Sequence, residues 1–380
     1  MNPILIPHLK KACQLTDTQS ALIDTAVYIG YFVMALPAGW MMHRYGYKKG
    51  ILIGLLFYAL GTLLFIPASS ARSYPLFLTA LFIMAGGATF LETVANPYIT
   101  KLGKPESAEQ RLNFAQSFNG VGAFIAPILG GQFILSGIEY THDQIQQMTS
   151  AELTQYLTSE AGTVKGPYAV ITLVVVLVAF LFLVVKIPEI KEGDNSEHAH
   201  SFSLRIFRHP HVTWGVVAQL FYVGAQVGVG SFFIRFTREL IDLPEKQAAY
   251  WWGSMAMVGF MAGRFLGTFL MRFIQPARLL TLYALINILL IGASLSTQNS
   301  WAVYAIMAVP FFMSIMFPTI FALGIKDLGE ESKIASSFLV MAIVGGAIFP
   351  LVMGMISDVT GSMQKAYTVP LLCFVVVAYY

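Results

Sequence analysis

Two carboxylates stand inside apolar stretches of the chain, where water reaches a charged side chain poorly. The first is Glu92 in FLETVANPYIT, four residues before Asn96, so the two side chains share one face of a helix. A carboxylate in hydrocarbon must face a cavity or a partner, and burial favours its protonated form. Glu92 is therefore a candidate proton carrier with Asn96 beside it. The alternative is a structural ion pair with Arg264 or Arg235.

The second acid is Asp24 in ALIDTAVYIGYF, four residues before Tyr28. The two side chains again share one helical face and form a polar, aromatic stripe. Asp24 could serve the same chemistry as Glu92. It could also lie near the outer end of its helix, where it is solvated or caps the helix. Both interpretations stay open.

Amide and phenol side chains recur at one-face spacing in two further segments. Gln116 and Asn119 are three residues apart in NFAQSFNG, and Gln219, Tyr222 and Gln226 follow the spacing i, i+3, i+7 in AQLFYVGAQ. Such groups suit a ligand rich in hydroxyls, because each hydroxyl both donates and accepts. Each side chain alone could instead form a hydrogen bond between helices. Together they predict a neutral, polar substrate such as a sugar, and Glu92, Asn96 and Tyr28 complete the set of candidate binding residues.

Sequence signatures of enzymes are absent: there is no glycine-rich phosphate loop, no HExxH and no GxSxG. We therefore predict no catalytic residue, and transport driven by an ion gradient or by simple diffusion. His198, His200, His209 and His211 lie in one charged segment. Neither cysteines nor paired carboxylates accompany them as zinc ligands would require, and we interpret the segment as a solvated linker. We expect no metal and no cofactor, with a proton as the coupling ion.

The elements that must position these side chains are membrane helices. The 380-residue chain is 56% hydrophobic and 11% charged, whereas soluble domains are about 25% charged; its mean hydropathy is +0.67. Apolar windows of about 20 residues, each long enough to cross a bilayer core, recur along the chain. The composition predicts an all-α polytopic protein in a lipid bilayer. Its basic residues are explained by loop placement, and no nucleic-acid partner is expected.

Eleven apolar spans can be placed along the chain, and MNPILIPH at its start resembles the end of a twelfth. The first helix is thus predicted to be truncated and the last to be cut short at Tyr380. Lys and Arg favour one set of loops by about two to one, which predicts a cytoplasmic HRYGYKKG loop. The predicted spans are 19–42, 49–71, 75–101, 112–136, 166–186, 212–238, 247–271, 279–297, 301–325, 334–357 and 366–380.

An internal repeat divides the chain into halves. ANPYITKLG resembles MFPTIFALGIKDLG, and GAFIAP resembles GGAIFP, at offsets of 221 and 223 residues. Opposite Glu92 stands Met313, and opposite Asn96 stands Phe317, so packing common to both halves does not require the polar pair. Duplicated halves are typical of a transporter that rocks about a midplane site. The predicted organisation is an N-terminal bundle over 1–186, a cytoplasmic linker over 187–211 and a C-terminal bundle over 212–380.

These motifs, with LPAGWMMHRYGYKKG, QMTSAELTQY and SSFLVMAIVGGAIFP, resemble the fucose–galactose–glucose:proton symporter family of the major facilitator superfamily, in particular bacterial L-fucose:proton symporters. The resemblance extends over essentially the whole chain. It implies two six-helix bundles, alternating access and proton-coupled import of a monosaccharide across the bacterial inner membrane, and we expect a monomer. It also implies that Glu92 serves substrate recognition and proton coupling, and that Gln116 and Asn119 face the central cavity.

The chain departs from this family at its first helix. The fucose symporters carry a membrane acid there in an Asn-Asp-Ile-Leu motif, and the matching residue here is Pro3. Asp24 stands where those symporters carry glutamine. We therefore hypothesise that Asp24 replaces the lost acid and works with Glu92. The alternatives are a proton-independent sugar facilitator, motivated by Pro3, and a non-transporting, truncated sugar-sensing membrane protein, motivated by the incomplete first helix.

Overall fold

The described part of the chain is entirely made of helices and their connections. In the computed structural model it comprises residues 2–15, 17–134, 144, 147–186, 188 and 204–380. No strand occurs within these residues, which confirms the predicted all-α class. Residues 187 and 189–203, most of the predicted linker with His198 and His200, lie outside the described residues.

The helices follow the predicted spans closely. Those of the first half are α1 (Asn2–Ala12), α2 (Asp17–Ser70), α3 (Tyr74–Lys101), α4 (Ala108–Phe133), α5 (Ser150–Gly162) and α6 (Lys165–Val184). Those of the second half are α7 (Pro210–Ile241), α8 (Glu245–Trp251), α9 (Met257–Leu270), α10 (Pro276–Ser296), α11 (Ser300–Met313), α12 (Met316–Gly324), α13 (Ser332–Met341), α14 (Gly345–Thr360), α15 (Met363–Ala366) and α16 (Thr368–Tyr379).

Two predicted spans, 19–42 and 49–71, fall within α2. Gly46 interrupts this helix with a backbone φ of 83° and ψ of 176°. That conformation is accessible to glycine at little cost because it has no Cβ. The turn between the two spans is therefore at Gly46, inside the basic HRYGYKKG segment.

Several other spans are broken rather than straight. The predicted span 301–325 is divided into α11 and α12, and 334–357 into α13 and α14. Eight helical segments of the described residues are long and apolar enough to cross a membrane, with α2 counted once. The helix α4 has 26 residues, about 39 Å at 1.5 Å per residue. Its first half is polar and carries the candidate site.

The first compact unit has an aromatic core. Phe65 stacks on Tyr168 with 3.7 Å between ring centroids, and Phe77 packs edge-on against Phe65. Lys11 of α1 forms an ion pair of 3.2 Å with the buried Glu160 of α5. These contacts join α1, α2, α3, α5 and α6. The unit comprises Met1–Met34, Lys48–Leu91 and Ile125–Pro188.

The second compact unit joins segments of the first half of the chain to the helices of the second half. Its segments are Ala35–Tyr47, Glu92–Phe124 and Glu189–Tyr380. Glu109 of α4 forms an ion pair of 3.1 Å with Lys326. Asn113, one turn further along α4, donates from Nδ2 to the Thr319 hydroxyl oxygen of α12 at 3.1 Å. The polar half of α4 is thus held by α12 and the segment that follows it.

Candidate functional site

Three predicted amides meet within the second unit. Gln116 donates from Nε2 to the Asn96 Oδ1 atom at 3.0 Å, which joins α4 to α3. Asn119 donates from Nδ2 to the Gln116 Oε1 atom at 3.2 Å. Helical spacing predicted the Gln116–Asn119 pair, whereas the bond to Asn96 depends on how α3 and α4 pack. The three side chains form one hydrogen-bonded row.

The row runs from the protein interior to an open surface. Asn96 is 4% exposed, Gln116 is half-buried and Asn119 is exposed. Glu92 lies one turn before Asn96 on α3 and is half-buried. At its open end the row presents the Oδ1 acceptor and a remaining N–H of Asn119. A hydroxyl-bearing ligand could both donate to and accept from this side chain.

Arg264 connects the amide row to the second half of the chain. It lies on α9, is 4% exposed, and its Nη1 donates to the Gln116 carbonyl oxygen at 2.7 Å. Its Nε donates to the Ser314 carbonyl oxygen at 2.8 Å, and its guanidinium lies 4.7 Å from the centre of the Phe260 ring. The sequence suggested Arg264 as an ion-pair partner of Glu92; its described contacts are instead these two carbonyls and this ring.

The close packing of α9 against α11 brings Arg264 within reach of Ser314. A Cβ atom added at Gly263 would lie 2.2 Å from the Phe311 carbonyl oxygen, so only glycine permits this approach. The carbonyl of Ser314 also lacks its usual helical donor. Residue i+4 is Pro318, which has no N–H, and Arg264 supplies the missing hydrogen bond. A buried carbonyl without a donor would be unfavourable.

Tyr222 forms another hydrogen bond at the break between α11 and α12. Its hydroxyl donates to the Met313 carbonyl oxygen at 3.0 Å, and both residues are fully buried. Gln219 is also fully buried, and among the described residues neither of its amide atoms has a hydrogen-bond partner. Gln226 is half-buried. The structure therefore places Gln219 and Tyr222 inside the second unit, with Tyr222 bound to backbone.

Asp24 and Tyr28 lie on α2 in the first unit, and Pro3 lies on α1. Tyr28 is half-buried. No group of three or more His, Cys, Asp or Glu side chains that could hold a metal occurs in the described part of the chain. In the predicted linker, the His209 Nε2 atom lies 3.0 Å from the Glu331 Oε2 atom.

Two polar positions of this region were not singled out from the sequence. Asn113 lies three residues before Gln116, so helical spacing could have found it. The Ser314 carbonyl gave no such signal, because backbone atoms are common to all residues. Only the proline four residues later indicates that this carbonyl needs an unusual donor.

The family model described as Major Facilitator Superfamily matches residues 1–350. The chain belongs to this superfamily.

Among its relatives, the chain is 41% identical to the L-fucose-proton symporter of Escherichia coli (strain K12) over 384 residues, covering 99% of this chain and 87% of the relative. It is 39% identical to the glucose/galactose transporter of Brucella abortus biovar 1 (strain 9-941) over 386 residues, covering 100% and 89%. The structure matches the crystal structure of the transporter FucP in the outward conformation with a TM-score of 0.93 and 41% identity, covering 100% of this chain and 92% of that one.

These similarities confirm the predicted major facilitator fold. With the apolar helices, they establish a multi-pass protein of the bacterial inner membrane. The family consists of transporters, so the chain is a transporter and not an enzyme.

Proposed function

We propose that this protein imports a neutral sugar, L-fucose or a related hexose, together with a proton. The observation that carries the proposal is the row Asn96–Gln116–Asn119, which begins one turn from Glu92 and ends at an open surface. Amides suit the hydroxyls of a sugar, and a membrane carboxyl group suits a proton. Relatives at 41% and 39% identity, named as a fucose-proton symporter and a glucose/galactose transporter, support the same substrate class.

In the proposed mechanism the bundles 1–186 and 212–380 rock about the site and expose it alternately to either side of the membrane. Sugar hydroxyls bind Asn119 and Gln116, and protonation of Glu92 accompanies binding. Gln226 and Tyr28, both half-buried, are further candidate contacts. Tyr222 supports α11 through its hydrogen bond to the Met313 carbonyl oxygen, and the buried amide of Gln219 remains a candidate for sugar binding. The proton is the coupling ion, no other cofactor takes part, and the protein acts as a monomer.

Uptake of labelled sugars by whole cells tests this function. Cells that express the protein should accumulate one or more of fucose, galactose, glucose, mannose and N-acetylglucosamine, and a protonophore should abolish accumulation. The medium should become alkaline when the transported sugar is added. Sugar uptake without either proton effect would instead support the facilitator, for which Pro3 is the motivating observation. Absence of uptake of every sugar in this panel would contradict the proposed substrate class.

The second proton site is proposed at Asp24, because Pro3 replaces the acid that the fucose symporters carry on their first helix. Asp24→Asn keeps the size of the side chain and removes its titration. The variant should lose accumulation driven by the proton gradient while keeping exchange of labelled for unlabelled sugar, since exchange needs no net proton movement.

The matched control is Asp358→Asn. Asp358 is an exposed acid near the end of α14, and its replacement should leave sugar accumulation normal. Normal accumulation by Asp24→Asn would contradict the assignment of Asp24. Loss of exchange as well as accumulation would assign it to sugar binding instead.

A further inference from the structure

A cavity of about 400 Å³ lies between the first turns of α4 and the last turns of α9, within the second unit. Two arginines, Arg111 and Arg272, and three phenylalanines line most of it. The residues Phe114, Phe265 and Phe269 are 54%, 41% and 49% exposed. The cavity therefore combines positive charge with an apolar surface that lies open to its surroundings.

The arginines and the phenylalanines of the cavity lie at different depths in the membrane. Arg272 follows the end of α9, whereas Phe265 lies seven residues earlier, about 10 Å along the helix. On α4, Arg111 lies in the first turn and Phe114 one turn further in. Both arginines are therefore at the same membrane boundary, with the rings towards the hydrocarbon. The excess of Lys and Arg in loops on this side predicts that it is cytoplasmic.

The two arginines differ in the contacts that their side chains make. Arg111 is occupied by the protein itself: its Nη1 donates to the Lys104 carbonyl oxygen at 2.7 Å and to the Ser107 hydroxyl oxygen at 2.6 Å. Its Nη2 donates to the Thr100 carbonyl oxygen at 2.8 Å. Arg111 thereby fixes the connection between α3 and α4, which forms one wall of the cavity.

Arg272 has its donors available. It is exposed, and its guanidinium lies 5.7 Å from the centre of the Phe269 ring. Among the described residues its side chain makes no hydrogen bond and no ion pair; its backbone N–H donates to the Phe269 carbonyl oxygen. A guanidinium has five N–H donors in a planar fork that matches a phosphate group.

We propose that this cavity binds an anionic phospholipid of the cytoplasmic leaflet. The lipid phosphate contacts Arg272, with the polar side chains of Gln110 and Ser107 beside it, and an acyl chain lies along the exposed rings of Phe265 and Phe269. Anionic headgroups favour basic pockets between membrane helices on the cytoplasmic side. A neutral sugar offers hydroxyl acceptors but no negative charge to pair with the guanidinium.

The lipid would contact both halves of the chain at once, because α4 belongs to the first half and α9 to the second. Alternating access in transporters with repeated halves requires the halves to move against each other. A bound lipid therefore stabilises the arrangement in which α4 and α9 lie together, and the anionic lipid content of the membrane influences the transport rate.

Native mass spectrometry of the delipidated protein in detergent tests this binding without any need for transport. Phosphatidylglycerol is titrated against phosphatidylethanolamine and against inorganic phosphate. We expect phosphatidylglycerol to be retained preferentially and Arg272→Gln to weaken its binding about fivefold, the contribution of one basic residue near an anionic lipid surface. The matched control is Arg278→Gln. Arg278 is exposed on the same membrane side but lies outside the cavity, so this variant should bind phosphatidylglycerol normally.

Phe265→Ser should also weaken binding, whereas Phe273→Ser, 74% exposed and outside the cavity, should not. Equal loss in Arg272→Gln and Arg278→Gln would show a general charge effect and overturn the site. Equal binding of phosphatidylethanolamine, or displacement of the lipid by inorganic phosphate alone, would overturn the assignment to an anionic lipid. None of these results depends on the transported sugar, so failure here is distinct from failure of the proposed function.

Discussion

Replacing Glu92 by glutamine should abolish sugar accumulation driven by a proton gradient, and uptake should stop at equal concentrations on the two sides of the membrane. Glutamine has nearly the shape of glutamate but does not titrate, so it cannot carry a proton with the sugar. A sugar hydroxyl bound to the protonated carboxyl group would lose a hydrogen bond of about 0.5–1.5 kcal/mol, so the KM for sugar should also rise about two- to tenfold. Uptake and exchange assays with labelled sugar in proteoliposomes measure both effects.

The matched control is Glu106→Gln, an exposed acid in the turn between α3 and α4. It should transport and accumulate sugar like the unaltered protein. Normal sugar accumulation by Glu92→Gln would show that Glu92 takes no part in proton coupling. A raised KM with accumulation intact would limit Glu92 to sugar recognition. The two acids can thus be separated, because Asp24→Asn is expected to spare exchange and Glu92→Gln is expected to impair it.

Replacing Arg264 by methionine should destabilise the protein and stop transport. Methionine fills the space of the side-chain stem but leaves the Ser314 carbonyl without a donor, and it removes the second hydrogen bond of the Gln116 carbonyl, which keeps its donor within α4. Each buried polar group left without a partner costs about 1–3 kcal/mol. The Gln116 carbonyl belongs to the turn that carries the two amides of α4, so their placement should change as well. Thermal unfolding in detergent and sugar uptake measure the two effects.

Two further variants separate positioning from general stability. Arg264→Lys keeps the charge but has no planar fork, so it should bond one carbonyl well and the other poorly. It should fold and show a larger rise in KM than fall in kcat. Arg235→Met replaces an exposed arginine of α7 and should leave stability and uptake unchanged. Unaltered stability and KM in Arg264→Met would contradict the role given to Arg264.

Local regularities of the sequence were sufficient to predict much of this protein. Hydropathy over windows of about 20 residues predicts the membrane helices, because each must satisfy its backbone internally across the bilayer. The i, i+3 and i, i+4 spacings correctly place Glu92 with Asn96 and Gln116 with Asn119 on shared helix faces, since helical geometry fixes neighbours one turn apart. The motifs were sufficient to predict the superfamily, which the family match and the relatives confirm.

Contacts between helices required the tertiary structure. The spacing of Gln219 and Tyr222 places both side chains on one face of α7, but it does not show that this face is buried in the second unit. Nor does it show that the Tyr222 hydroxyl donates to the Met313 carbonyl oxygen. Likewise, no pattern in the sequence predicts that Arg264 donates to the carbonyls of Gln116 and Ser314.

The membrane class, the helices, the superfamily and the residues that share a helix face follow from the sequence, because these depend on composition and on the geometry of a single helix. The row of Asn96, Gln116 and Asn119, its anchoring by Arg264 and the basic cavity at Arg272 were decided only by tertiary packing. Periodicity specifies which side chains share a face. The partner that this face meets depends on close contacts between helices distant in sequence, such as that of Gly263 with Phe311.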